Sequence, residues 1–551
     1  MTATPESRPR LLHCWNAPAA RLYAAVFLCG CITALLASFH IPITSDQSSI
    51  LLEANSFRHG NLLLHGWVLP ADNFLFSSIP IYALAISVFG ISDRVFHIVP
   101  PLFYGIFTAL MVWHARYQEE KAPRRRVITV LVLLLLLFPS CAGLYPAITV
   151  IFIEHIATLI GILLAWLLLR LMRSQSSTRH RTIFAVVAGC VLALTTASDP
   201  FALFLFDLPF LLLLLRQAVM KDHHPISIHE GSSVLIALIA GLLLPVAVHH
   251  FGGFSTVEPL AHFTTLGSVP IIAGRFTAYL FMVSGSPFWG GSIRSFATLV
   301  EVGHGFILLC IIIAVLGSFF SWLLNRSSAT ETSSVLSLGI IITTGALLTS
   351  EQLQPGTERY VLLILLLAIP VVASQGATWL LSRTIAPGVL PTSLVFVGVT
   401  MLAGYAPAVH KEPSVSSSVA SFLLAHHLTT GFSDYWDAAS VTVASRNAVT
   451  VAPIFAFSDP PTVVPQQFLA DAAWFSKPSH SKTWFVIVNP QEPLYGLTPG
   501  TLGLSFGNPT ETYQVDGLTI EVWTRNLPDL INKNAAVAAS HGPVPFLPPA
   551  A

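Results

Sequence analysis

Charged side chains are scarce in this chain: Asp, Glu, Lys and Arg make up 10% of its 551 residues, where a soluble globular protein carries about 25%. A surface with so little charge cannot face water throughout. Net charge is missing too, because 27 basic residues balance 27 acidic ones. Nothing therefore points to nucleic acid as a partner. Cysteine is sparse and poorly placed for cross-linking. Cys14, Cys29, Cys31, Cys141, Cys190 and Cys310 all lie in or beside apolar segments, and none falls in the polar C-terminal region. No pair has metal-ligand spacing, so they read as small apolar packing residues rather than a disulfide framework. A fixed-period repeat of about 20–50 residues is also absent.

What is abundant is apolar sequence: 54% of the residues are hydrophobic and the mean hydropathy is +0.71. Runs long enough to cross a hydrocarbon core recur near residues 22–40, 94–116, 127–143, 147–172, 182–198, 201–217, 232–250, 302–324, 334–349, 358–381 and 388–408. That makes about 11 transmembrane helices by the length criterion. The 201–217 run is short and carries Asp207 and Pro209. The first run follows Arg8, Arg10 and Arg21 and so resembles a signal peptide. It is about 19 residues long, and no small-x-small cleavage site precedes a polar mature domain. It is expected to stay as the first span, behind a cytoplasmic N-terminus at 1–20.

Residues 80–90 (PIYALAISVFG) decide the topology. About eleven residues cannot cross a bilayer as a helix, so an interfacial or re-entrant helix is expected. With that segment non-spanning, Lys121, Arg124–Arg126, Arg170, Arg173, Arg179, Arg181, Arg216, Lys221, Arg326 and Arg383 fall inside. Outside, the loops keep only scattered basic residues such as Arg58, Arg94, Arg275, Arg294 and Arg359. This is the asymmetry of the positive-inside rule. It predicts an integral protein of the plasma (inner) membrane, with a membrane domain at 21–409 whose first outer loop is 42–93.

The same count puts everything after Val409 outside. From Ser414 the long apolar runs stop and Ser, Asn, Asp and Pro rise. Strand-type runs lie at 440–444 (SVTVA), 449–457 (VTVAPIFAF), 483–488 (TWFVIV) and 518–524 (LTIEVWT), and helical stretches fit 416–428 and 466–475. The expectation is an extracytoplasmic α/β domain at 410–527, followed by a disordered Ala- and Pro-rich tail at 528–551.

The first outer loop carries the densest polar chemistry. Asp46 directly follows the first span; a helix over 48–59 would be capped by Ser45 or Asp46 and closed by Gly60. Glu53 would then lie seven residues on, on the face of Asp46. Arg58, His59, His65 and Asp72 follow. An isolated Asp here would be only a helix cap; the company it keeps favours a functional role. Elsewhere, Glu154–His155 and Asp207 sit inside apolar runs, where ionisable groups are costly. Asp199 opens an outer Ser-Asp-Pro turn, where it reads either as a turn former or as an acid near Asp46.

The loop resembles that of the GT-C superfamily, polytopic glycosyltransferases that use polyprenyl-phosphate sugars. Asp46, Ala54, Gly60, Tyr82, Phe89–Gly90 and Arg94 occur in the order of that pattern. Glu358–Arg359–Tyr360 is similar to the "RY" opening a late span in the protein-mannosyl and aminoarabinose transferase branch. Two departures stand out: Asp46–Gln47 replaces an acidic pair, and Ser77–Ser78–Ile79–Pro80 lacks the basic residue before the prolines. The resemblance implies inverting transfer of a sugar from a polyprenyl-phosphate donor to a lipid, glycan or protein acceptor at the outer face. In it Asp46 is the general base, and Arg58, His65, Arg359 and Tyr360 bind the donor or its phosphate; Asp199, by its outer position, or Glu53 is a candidate second acid. Such chemistry needs a base on the acceptor and cations where leaving-group charge develops. A divalent metal cofactor is left open: Asp46, Asp72 and a histidine are ligand types, but no ligand spacing supports a site and no metal ligand is named.

Two other classes compete. A transporter or flippase would show broken helices in two related halves, and no second half is visible. A non-enzymatic membrane protein could present its outer domain for recognition. The stretch 431–442 (GFSDYWDAASVT) is aromatic and acidic enough to bind a glycan, although Tyr435 and Trp436 could equally be core.

Overall fold

The computed structural model describes residues 17–39, 43–117, 119–137, 155–220, 228–257, 263–324, 330–354, 357–382, 414–458, 461–476, 483–490 and 495–541. In chain order the helices are α1 (Ala17–Ser38), α2 (Ser45–Arg58), α3 (Ile79–Phe89), α4 (Val99–Arg116), α5 (Ala122–Leu137), α6 (His155–Arg173), α7 (Thr178–Ser198), α8 (Leu208–Met220), α9 (Ile228–His250), α10 (Val269–Val283), α11 (Phe296–Leu323), α12 (Glu331–Thr349), α13 (Glu358–Ser382), α14 (Val415–Ala425), α15 (Tyr435–Ala444), α16 (Ala473–Ser476), α17 (Pro499–Phe506) and α18 (Leu527–His541). The strands are β1 (Trp67–Leu69), β2 (Ser255–Thr256), β3 (Thr430–Ser433), β4 (Thr450–Ser458), β5 (Pro461–Pro465), β6 (Ala470–Asp471), β7 (Trp484–Val488), β8 (Glu511–Val515) and β9 (Leu518–Trp523). They fall into two units. One is helical and comprises Met1–His40, Pro100–Leu244 and Leu260–Val409; the other comprises Ile41–Val99, Pro245–Pro259 and His410–Ala551.

Among the described residues, 9 helices are long and apolar enough to cross a membrane. Of the expected spans, 388–408 lies outside the described residues. The 127–143 run is described only to Leu137, as α5. Large apolar side chains stand exposed along these helices, Leu235, Ile236, Ile239, Leu242 and Leu243 on α9 among them. Such a surface suits lipid rather than water. Where helices touch, small residues let them approach: a Cβ on Gly105 of α4 would lie 2.8 Å from the Phe27 carbonyl of α1. A π turn over Leu203–Asp207 leads into α8. One apolar helix, α10, lies in a segment expected only as outer loop. Its 15 residues reach about 22 Å, short of a hydrocarbon core of roughly 30 Å.

The second unit is built on a mixed sheet of order β5-β4-β3-β7-β9-β8. β3 runs parallel to both β4 and β7, while β5, β9 and β8 are antiparallel to their neighbours. Parallel pairing of β3 with β4 requires a crossover, and α15 is that crossover. Residues 440–444 therefore close a helix rather than form the expected strand. Their β-branched side chains suggest a strand, but Asp434 accepts hydrogen bonds from the backbone N–H of Trp436 and Asp437 and starts a helix instead. β7 (WFVIV) is buried along its whole length, as a central strand covered on both faces must be. Phe432, Val486, Trp523 and Phe506 fill one side of the sheet, and Val441, Phe485, Ile487 and Ile520 the other.

Three further expectations are corrected. Residues 466–475 are not one helix. The backbone N–H groups of Leu469 and Ala472 donate to Val68 and Gly66, so β6 pairs with β1 and only the short α16 follows. The segment from 528 is not a disordered tail as far as it is described. α18 buries Leu527 and Ile531, and Asn532 and Asn534 donate to the carbonyls of Phe475 and Val463. The first outer loop does not group with the spans: its residues pack in the same unit as the C-terminal sheet. β1 joins β2 in parallel and β6 in antiparallel pairing, knitting three distant chain segments together.

Candidate functional site

Asp46 lies in the first turn of α2. The cap is Thr44, not Ser45 or Asp46: Gln47 reaches back so that Thr44 N–H donates to its Oε1 at 2.9 Å, closing a capping box. Asp46 is thereby released from capping, and its carboxylate sits at the positive end of the helix. At the other end His59 is the cap residue, and Gly60 follows with φ +96°.

α2 packs on α15. Ser45 Oγ donates to the Trp436 carbonyl at 2.6 Å and lies 3.3 Å from Ser440 Oγ. This seats the first turn of α2 against the first turn of α15, and the hydroxyl of Tyr435 donates to Asp46 Oδ1. Tyr435 is buried, whereas the neighbouring Trp436 keeps 42% of its surface exposed. Its ring meets that of Tyr435 edge-on at 5.1 Å, and the side chains of Trp436 and Gln466 both lie against the Tyr495 hydroxyl. The exposed indole is thus anchored through its backbone carbonyl and by the edge of the buried Tyr435 ring.

Three carboxylates collect here. Burial raises Asp434 above the ordinary carboxylate range, against the pull of the two backbone N–H groups it caps. Burial, then the charge of Asp434, pushes Asp437 up to about 6. Tyr495 is raised by burial first and then by the charge of Asp434 and, after it, of Asp46, so that Tyr495 lies within electrostatic reach of both. The site joins an ionisable base candidate, a phenol donating to it, a fixed exposed indole and a carboxyl titrating near neutrality.

The remaining expected residues are distributed as follows. Glu53 is two turns along α2, about 10 Å from Asp46 by helical rise, and buried. Arg58 is exposed in the last turn, roughly 18 Å from Asp46 on the same measure. His65 is tied to that far end: its backbone N–H donates to Asn61, whose side chain donates to Ser56 Oγ, and its Nδ1 contacts the Gly252 carbonyl. Arg58 and His65 therefore do not share the Asp46 end of α2, because the helix axis separates them.

Asp199, Arg359 and Tyr360 belong to the helical unit. Asp199 ends α7 and is fully buried. Its Oδ2 is 2.6 Å from both His155 Nδ1 and Thr158 Oγ1, and its Oδ1 accepts from Phe201 N–H at 2.9 Å. That last bond is the Asp-Pro turn that the sequence offered as one of its two readings. Tyr360 stacks on Phe201 at 4.7 Å and meets the His155 ring edge-on at 5.6 Å. The half-buried Arg359 has its guanidinium carbon 5.5 Å from the Tyr360 ring. Glu154 lies outside the described residues. Asp207, at the end of the π turn, accepts from Thr196 at 2.9 Å.

A buried polar network in the same unit was not singled out from the sequence. Arg170 is fully buried, donates to Thr332 at 2.8 Å, and lies 4.1 Å from the Trp166 ring centre. Arg173 pairs with both Glu230 and Glu331. The Arg170–Arg173 spacing on one helix face was the available signal, but the acidic partners sit on α9 and α12. Among the described residues no group of three His, Cys, Asp or Glu side chains is arranged to hold a metal. Comparison with family models gives no match for this chain, and comparison with curated proteins gives none either.

Proposed function

We propose that this is a membrane glycosyltransferase that moves a sugar from a polyprenyl-phosphate donor to an acceptor at the outer face, with Asp46 as general base. The observation that carries the reading is the setting of Asp46: a carboxylate not used as a helix cap, receiving the Tyr435 hydroxyl, beside a fixed and exposed indole. In the reaction Asp46 takes the proton from the acceptor hydroxyl as that oxygen bonds to the anomeric carbon. The anomeric carbon–phosphate oxygen bond breaks, and the polyprenyl phosphate leaves with the electron pair, inverting the centre. Proton removal by a placed base contributes roughly 100- to 10,000-fold. The nine apolar helices among the described residues and the resemblance of the loop to the GT-C pattern support a lipid-linked donor. In this reading the N-terminus is cytoplasmic, and the second unit lies outside the plasma membrane.

The test is Asp46→Asn in the full chain, reconstituted with polyprenyl-phosphate sugars. Transfer should fall at least 100-fold while membrane insertion is unchanged. Full transfer by that variant would overturn the assignment.

A further inference from the structure

Resting on the reading above, we infer that the first turn of α15 forms the acceptor subsite and that the acceptor is a carbohydrate, whose terminal sugar ring stacks on the face of Trp436 and hydrogen-bonds to Asp437 and Gln466. A base must touch the acceptor hydroxyl, so whatever borders Asp46 holds the acceptor. What borders it is α15, through Tyr435 to Asp46 and Ser45 to the Trp436 carbonyl.

Three independent features of that turn fit a sugar. The first is the indole. It is a large aromatic face left in solvent, yet its carbonyl is held by Ser45 and its ring is braced by the edge of Tyr435 at 5.1 Å. Sugar rings present an apolar C–H face to such platforms, and the positive C–H edge meets the negative face of the π system. An indole fixed in advance loses little rotamer freedom on binding.

The second is unused hydrogen-bonding capacity. Gln466 Oε1 and Ser49 Oγ are buried, each at 1% exposure, and neither has a hydrogen-bond partner among the described residues. Gln466 reaches the site through Tyr495, and Ser49 is one turn along α2 from Asp46, on the same side. Buried polar atoms are nearly always paired, so two lone acceptors beside one platform mark a place for hydroxyl groups.

The third is Asp437, adjacent to the indole and close to Asp434. A carboxyl that carries a proton in part near neutrality both donates to and accepts from hydroxyls.

The test uses the detergent-solubilised full chain and the methyl glycosides of mannose, glucose, galactose and arabinose, read by saturation-transfer NMR. At least one glycoside should bind, with affinity reduced about ten-fold by Trp436→Ala and mostly kept by Trp436→Phe. Gln466→Met keeps the buried volume but removes the amide, and should weaken the same glycoside by more than its small shift in thermal midpoint accounts for, which a merely structural role would not produce. If no glycoside binds at tens of millimolar, or if Trp436→Ala binds as well as the parent, the subsite is overturned. Loss of transfer in Asp46→Asn together with glycoside binding indifferent to Trp436 removes the subsite and leaves the transferase reading. Trp436-dependent binding with full transfer in Asp46→Asn keeps the sugar site and removes its role as acceptor subsite for that base.

Discussion

The Tyr435 hydroxyl donates to the Asp46 carboxylate across 389 positions of the chain. A residue just after the first span is thereby oriented by the first turn of a crossover helix in the C-terminal sheet. Removing the hydroxyl with Tyr435→Phe deletes a hydrogen bond to an ionised group, worth about 1.5–3 kcal/mol. The variant should therefore transfer sugar roughly 10- to 100-fold more slowly. Steady-state rates on reconstituted protein check this, with the thermal midpoint as a control: the buried ring is retained, so the fold should be.

Asp437 makes stability depend on pH. Its folded value, about 6, is above the roughly 3.9 of an unfolded Asp. Between those values the folded chain binds more proton than the unfolded one, so stability falls as pH rises. The contribution is fully present below about pH 4 and lost above about pH 6. Asp437→Asn should remove this slope and stabilise the protein at pH 7 by on the order of 1–2 kcal/mol. Thermal melts of both proteins between pH 4 and 7.5 test the sign: the gap should open with rising pH.

Much of the frame was legible because it depends on local pattern. Long apolar runs give α1, α6, α7, α9, α12 and α13 by length alone, and continuous apolar runs give β4 and β7. What was misread has a common cause. The Ser440–Ala444 segment has strand-like residues, but the parallel partner of β3 lies further on and demands a crossover helix. Leu469 and Ala472 spend their N–H groups on Val68 and Gly66, more than 390 positions away. The same applies to the site: Asp46 and the Tyr435–Trp436 pair were each visible as candidates, but only folding shows that they meet. Arg58 and His65 looked close in sequence, and one rigid helix holds them from Asp46.

Asp199 is held as an internal anchor of the helical unit. Three donors converge on it at 2.6–2.9 Å in a site closed to solvent. Asp199→Ala leaves His155, Thr158 and the Phe201 N–H without their acceptor, a loss of about 3–5 kcal/mol. The expected outcome is a sharp fall in monodisperse yield from detergent and a lower melting point. The transfer rate per folded molecule should stay within about three-fold of the parent, far less than the 100-fold loss expected when a catalytic acid is removed. Active-site titration separates yield from rate.

Gly431 sits in β3 with β4 on one side and β7 on the other, paired with Val451 and Phe485. A Cβ there would lie 2.5 Å from the Phe485 carbonyl and closer still to its ring. Neither obstacle can yield cheaply. The carbonyl belongs to a central strand, and the Phe485 ring is fully buried among Val419, Val441 and Ile520. Gly431→Ala must therefore spread β3 from β7 or drive the ring off its rotamer, an overpacking cost of about 1–3 kcal/mol. β3 runs directly into Asp434 and α15, so the displacement reaches the turn that carries Tyr435 and Trp436. Thermal melts should show the loss of stability, and glycoside binding should weaken with it. A second change, Phe485→Leu, makes room for the new methyl group and should recover part of both in the double variant.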